Sequence, residues 1–285
     1  MRIPEDVKKC VVYFGFEVSE GANRKRKYGG TGFLIVMPSK IQGASFLFLV
    51  TAKHVVDKLS GRNVYIRANT KDGKSQELKI LDNQKWYFHP TDNAADVALI
   101  PVFLPQEFDF LPIPSSMLLA EKVRLDSGIG IGDEVFITGL FVHHVGHAKN
   151  LPIVRTGNIA MTPDERIPIK DFGMMETYLI EARSIGGLSG SPVFVIEHKE
   201  KQRTLFLMGL IHGHWDIPSE SLIDDISHDA GARAGVNVGI AIVTPASKIL
   251  DILTSDEMRK MIEELEAADI AKSSPASDKK NVRDL

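Results

Sequence analysis

The chain has 285 residues, 44 % of them hydrophobic and 25 % charged, which is enough to bury a sizeable core. With 34 Lys and Arg against 37 Asp and Glu, the net charge of -3 offers no broad attraction to nucleic acid. Cys10 is the one cysteine, so an intrachain disulfide is excluded.

The first ten residues, Met1 to Cys10, lack an apolar leader region and a small-residue cleavage site, and no later stretch is long enough to cross a bilayer. Because the sequence opens on its own Met1, it reads as cytoplasmic, with neither membrane nor nucleic acid expected as a partner. Arg24-Lys25-Arg26-Lys27 is a basic run, read as a solvated loop before the first strand.

Short apolar or alternating runs bounded by Gly, Pro, Asn or Asp then follow one another, and they predict strands over 32–36, 46–50, 63–66, 97–100, 134–138 and 205–211. This is an all-β pattern. The run Phe46 to Val50 leads straight into Thr51-Ala52-Lys53-His54, which sets an imidazole at the end of a buried strand. Asp96 opens the run Val97-Ala98-Leu99-Ile100, where an unpaired carboxylate would cost several kcal/mol, roughly, unless a donor meets it. A histidine Nδ1–H is the natural donor. The proline-rich stretch from Phe103 to Pro114 marks a crossover between two halves.

Past the crossover, His143-His144-Val145-Gly146-His147 clusters three imidazoles in a Gly-containing loop without the Glu or helix of a zinc protease, so no metal is expected there or elsewhere. The segment from Ser184 to Pro192 carries Gly187-Leu188-Ser189-Gly190 between two apolar strands. Glycine on either side lets backbone N–H groups turn toward an oxygen instead of into a ladder, as an oxyanion hole requires. Ser184 and Ser191 compete with Ser189, but Ser191 precedes a proline and Ser184 lies outside the tight turn. Asp57 and Asp92 compete with Asp96, and neither opens a buried strand. Toward the C-terminus, Pro245 to Leu253 begins a helix, and Ser255 caps a second that ends near Ala271. Beyond it the polar, proline-broken residues read as disordered.

Thr-Ala-Lys-His54, Asp96-Val-Ala-Leu and Gly187-Leu-Ser189-Gly-Ser-Pro stand in the order His, Asp, Ser, the order of chymotrypsin-fold proteases. From about Gly29 to about Ile252 the sequence resembles a bacterial trypsin-like serine peptidase domain. The HtrA-type and glutamyl-endopeptidase branches are the nearer likeness, although no room remains for a PDZ module. The resemblance implies two six-stranded antiparallel β-barrels with a C-terminal helix. It divides the chain into 1–112 carrying His54 and Asp96, 113–246 carrying Ser189, and 247–285 as helix and tail.

It further implies peptide-bond hydrolysis without a cofactor. His54 acts as base, Asp96 orients it, Ser189 attacks, and the backbone amides of Gly187 and Ser189 bind the oxyanion. Leu188 stands where digestive trypsins carry an activating aspartate, so the site is either formed as translated or ordered by a regulatory partner protein. Arg183, six positions before the nucleophile, would sit at the base of the specificity pocket and favour an acidic substrate side chain. In the same reading His212 and His214 form a wall of that pocket. The rival readings are a protease-fold binding or sensor module that is latent without a partner, and an esterase using the same triad.

Overall fold

Alternation of apolar and polar side chains breaks down where both faces of a strand are buried, as over residues 31–35 and 207–212. The computed structural model describes residues 3–20, 23–81, 83–182, 187–199, 202–217 and 236–273. After a 3-10 turn at Glu5–Cys10, the first half comprises β1 (Val11–Glu20), β2 (Asn23–Pro38), β3 (Ser45–Thr51), α1 (Lys53–Leu59), β4 (Val64–Asn69), β5 (Ser75–Lys79), β6 (Tyr87–Phe88), β7 (Ala98–Pro101) and β8 (Ile113–Pro114). A second 3-10 turn and α2 (Glu121–Ser127) lead into β9 (Glu134–Gly139), β10 (Ile153–Met161), β11 (Ile167–Ile169), β12 (Gly173–Met175), β13 (Tyr178–Glu181), β14 (Pro192–Lys199), β15 (Gln202–Ile217) and β16 (Val236–Pro245). The chain closes on α3 (Ala246–Leu253) and α4 (Asp256–Ser273).

The protein is all-β with C-terminal helices, as its turn-bounded apolar runs predict. In the second half six antiparallel strands close a barrel in the order β10-β13-β16-β15-β14-β9. In the first half eight strands form one sheet, ordered β5-β4-β1-β2-β3-β7-β6, with β8 parallel to β2. The hairpin β11–β12 stands apart from both.

Strand β9 shows why the barrel and the sheet pack as they do. Val135 and Ile137 point into the barrel, while Phe136 between them points out into the apolar cluster of the first half. On β14, Val193 and Val195 face inward and Phe194 outward, and the two outward rings stack at 5.0 Å. Period-two geometry therefore feeds two cores from one strand. The apolar cluster of the first half also takes in Ala246, Ile249, Ile252 and Leu253 of α3, so that helix seals the seam.

Local details follow from side-chain chemistry. Ser255 Oγ accepts from the Met258 amide, the expected cap of α4. Further along α4, Glu266 accepts from Ser39 Oγ at 2.6 Å and the Lys40 amide at 2.8 Å, which fastens the helix to the end of β2. The basic run 24–27 is strand, not solvated loop: Arg26 on β2 pairs with Glu17 across β1 and with Glu77. Cross-strand acids neutralise the run, so it can join the ladder. Cys10 is buried and its thiol is pushed up to about 12 by burial. Among the described residues no helix is long and apolar enough to cross a membrane.

Candidate active site

Strand β3 ends at Thr51, Ala52 is the N-cap of α1, and His54 falls in the first turn of that helix. First-turn amides have no partner inside a helix. The His54 amide finds one in Asp96 Oδ1 at 2.8 Å, while its ring Nδ1 lies 2.7 Å from Asp96 Oδ2. One carboxylate thus holds both the backbone and the imidazole of His54. A tight turn ahead of β7, with Ala95 N bonded to Asp92 O and Val97 N to Ala95 O, aims Asp96 inward.

Asp96 is 1 % exposed. Burial pushes its carboxyl up, but hydrogen bonds from His212 and His54 outweigh this and hold it below the usual carboxylate range. An ionised Asp96 can only accept, so it fixes the Nδ1–H tautomer of His54 and leaves the Nε2 lone pair for a proton.

His212, read from sequence as a pocket wall, lies beneath this pair, 7 % exposed, with Nδ1 2.5 Å from the same Asp96 Oδ2. The two imidazoles meet edge to face at 5.4 Å. Phe172, at the tip of the β11–β12 hairpin, packs edge-on against both, 4.4 Å from the His212 ring and 6.0 Å from that of His54. The residue before it, Asp171, is the one non-glycine at positive φ among the described residues. Trp215, Ile167 and Leu179 join Phe172 in a small apolar cluster on that side.

Ser189 is half-buried, and its Oγ donates to the backbone carbonyl of His212 at 3.2 Å, so the hydroxyl is turned to that oxygen instead of to His54 Nε2. Its turn is shaped by two glycines in the left-handed region, Gly187 at φ 95° and Gly190 at φ 81°. A Cβ at Gly187 would come within 2.4 Å of Val142, and one at Gly190 within 2.2 Å of the Thr31 carbonyl. Only glycine fits either position. Leu188 between them is fully buried. Ser191, the competing serine, is buried with its hydroxyl against Gly139.

Thr31, which sequence reasoning missed, lies between the halves. Its Oγ1 donates to the Gly187 carbonyl and accepts from the Leu140 amide. The only hint in the sequence is its place between glycines, Gly30-Thr31-Gly32. His212 carried a clearer signal, a lone imidazole closing the buried run Leu205 to Ile211.

The remaining sequence candidates are scattered. His214 is half-buried on β15, two residues beyond His212. Arg183, read as the base of the specificity pocket, lies outside the described residues. The His143–His147 segment is an exposed loop, held by the buried Arg67 through the carbonyls of Gly146 and His147. Among the described residues, His54, Asp96 and His212 are the one group of His, Cys, Asp or Glu whose ligand atoms gather closely enough for a metal ion, within 4.8 Å. Both Nδ1 atoms lie at hydrogen-bonding distance from one carboxylate oxygen, Asp96 Oδ2.

No family model matches the sequence, and no curated protein matches it. Among solved structures the chain resembles Deg5 over 86 % of its own length and 88 % of that chain, at 14 % identity and a TM-score of 0.48. It also resembles the Rv3671c protease of M. tuberculosis in its active form, over 86 % of this chain and 80 % of that one, at 18 % identity and a TM-score of 0.45.

Proposed function

We propose that the chain is a serine endopeptidase that cleaves peptide bonds through an acyl-enzyme, with Ser189 as nucleophile, His54 as base and Asp96 as its orienter. The observation that carries the reading is the buried Asp96 holding His54 by two hydrogen bonds, with a glycine-flanked serine turn tied to the same half of the molecule. A buried carboxylate costs free energy to desolvate, and here it is spent on orienting imidazoles, the arrangement expected where a histidine must act as a base.

In this reaction the Ser189 hydroxyl leaves the His212 carbonyl and gives its proton to His54 Nε2 as Oγ attacks the substrate carbonyl carbon. The charged oxygen of the tetrahedral adduct takes hydrogen bonds from the Gly187 and Ser189 amides. Asp96 stabilises the imidazolium that has formed. His54 then returns the proton to the leaving amine, the peptide C–N bond breaks, and water repeats the sequence on the acyl-enzyme. An acidic side chain is the substrate feature that Arg183 would favour, and a cytoplasmic location goes with the sequence reading.

Reaction with a fluorophosphonate probe tests the proposal. Labelling of the wild type that disappears in Ser189→Ala and in His54→Ala supports it; a wild type that stays unlabelled, with or without protein partners, overturns it. Cleavage of a peptide library reads specificity, and a strong preference for Leu or Phe before the scissile bond removes the acidic preference. One observation favours the rival reading of a latent binding or sensor module: the Ser189 hydroxyl is bonded to the His212 carbonyl and not to the base.

A further inference from the structure

Asp96 Oδ2 receives two imidazoles. His54 Nδ1 lies 2.7 Å from it and His212 Nδ1 2.5 Å, on residues separated by 42 and 116 positions in sequence. A carboxylate oxygen has two lone pairs, one for each ring, and the two rings meet each other edge to face with Phe172 packed edge-on against both. With the His54 amide on Oδ1, Asp96 has three donors and no freedom to rotate.

Resting on the proposed hydrolase chemistry, we infer that His212 is a positioning residue: its Nδ1–H locks the Asp96 carboxylate in the plane that orients His54. The lock reaches the nucleophile as well. The His212 carbonyl accepts from Ser189 Oγ, the Ile211 carbonyl accepts from the Gly190 amide, and the Ile211 amide donates to the Ser191 carbonyl. A shift of His212 is therefore felt by the carboxylate through its ring and by the serine turn through its backbone. His212 touches no reacting atom in this scheme; it acts through Asp96. A hydroxyl or an amide could fill the same lone pair, but an imidazole also packs against His54 and Phe172, so one side chain supplies the donor and excludes water.

The test compares His212→Asn, which keeps a donor at the place of Nδ1, with His212→Gln, which moves the amide one bond farther, and His212→Phe, which keeps the ring and removes the donor. On a peptide substrate, kcat is expected to fall roughly 10²-fold in the Phe and Gln variants, the scale set by small misplacements at a reacting centre, while KM stays within about twofold. The Asn variant is expected to recover most of the loss. Proton NMR of the substrate-free protein gives a second readout: two far-downfield imidazole N–H resonances in the wild type, one of which disappears in each His212 variant while the His54 resonance persists. A kcat unchanged in the Gln and Phe variants, an Asn variant no better than Phe, or a single downfield resonance in the wild type overturns the inference. Failure of the wild type to take the fluorophosphonate overturns the hydrolase reading and this role together; normal labelling with an unmoved kcat in the variants overturns only the role of His212.

Discussion

The Thr31 amide donates to the Ser189 carbonyl at 3.0 Å, so a residue of β2 grips the serine turn that the barrel presents. The same residue donates through Oγ1 to the Gly187 carbonyl at 2.8 Å, and its own carbonyl accepts from Thr51 Oγ1 at 2.7 Å, three residues before His54. A path from the segment before His54 to the Ser189 turn thus runs through two fully buried threonines, Thr51 and Thr31.

Thr31→Val keeps the shape and removes the hydroxyl, which strands the Gly187 carbonyl and the Leu140 amide in a dry site. Loss of such partners costs about 1–3 kcal/mol. Urea denaturation should show that loss, and Thr31→Ser should recover most of it. A valine variant as stable as the wild type would mean that the hydroxyl bridge contributes nothing.

Gly190 is held at φ 81° with backbone on one side and a hydroxyl on the other. Gly190→Ala should destabilise by about 2 kcal/mol or more, because strain and overpacking each contribute about 1–3 kcal/mol. Gly43 is the control: its φ is 79°, but an added Cβ meets open space. Gly43→Ala should therefore show the conformational cost alone, and the difference in melting temperature between the two variants reads the steric part.

The carboxyls of Asp96 and Asp92 are both held below their ordinary value of 3.8 in the fold. For Asp96 burial is outweighed by hydrogen bonds from His212 and His54, and for Asp92 by Arg166 and Lys248. In the unfolded chain they take up protons first as pH falls. Their contribution to stability is thus complete above about pH 5 and is lost progressively below about pH 4, toward the lower folded values. Unfolding midpoints between pH 6 and pH 3 should fall steeply for the wild type and less steeply for Asp96→Asn. Equal slopes would show that Asp96 is not held in its charged form.

Asp92 also anchors the hairpin that carries Phe172. Arg166 reaches it at 2.5 Å, and the buried Lys248 of α3 bridges Asp92 at 3.4 Å and Glu176 at 2.6 Å. Residues on both sides of the hairpin are thereby pinned to the loop before Asp96. Lys248→Met should cost about 1–3 kcal/mol, since a buried charge network loses its central cation. It should also speed amide exchange in β11 and β12 more than in β9. Uniform exchange across both regions would deny the network its anchoring role.

Much of this protein was legible before folding. Turn residues and short apolar runs placed part of the strand set in both halves, because backbone propensity and breakers act over a few residues; β1, β10 and β16 went unread. His54, Asp96 and Ser189 could be singled out because each sits at a boundary between an apolar run and a turn, where a polar side chain is conspicuous. The basic run at 24–27 was misread as a loop, since its partners Glu17 and Glu77 lie on other strands and cannot be paired with it by inspection. The sequence by itself thus determined the class of the fold and the candidates for chemistry. Only the tertiary structure decided that His212 meets Asp96 through Nδ1, that Thr31 joins the halves and that Phe172 packs on both imidazoles. Each of these depends on a hydrogen bond or ring contact between residues far apart in the chain, and local propensity carries no information about which distant groups meet once two cores close on each other.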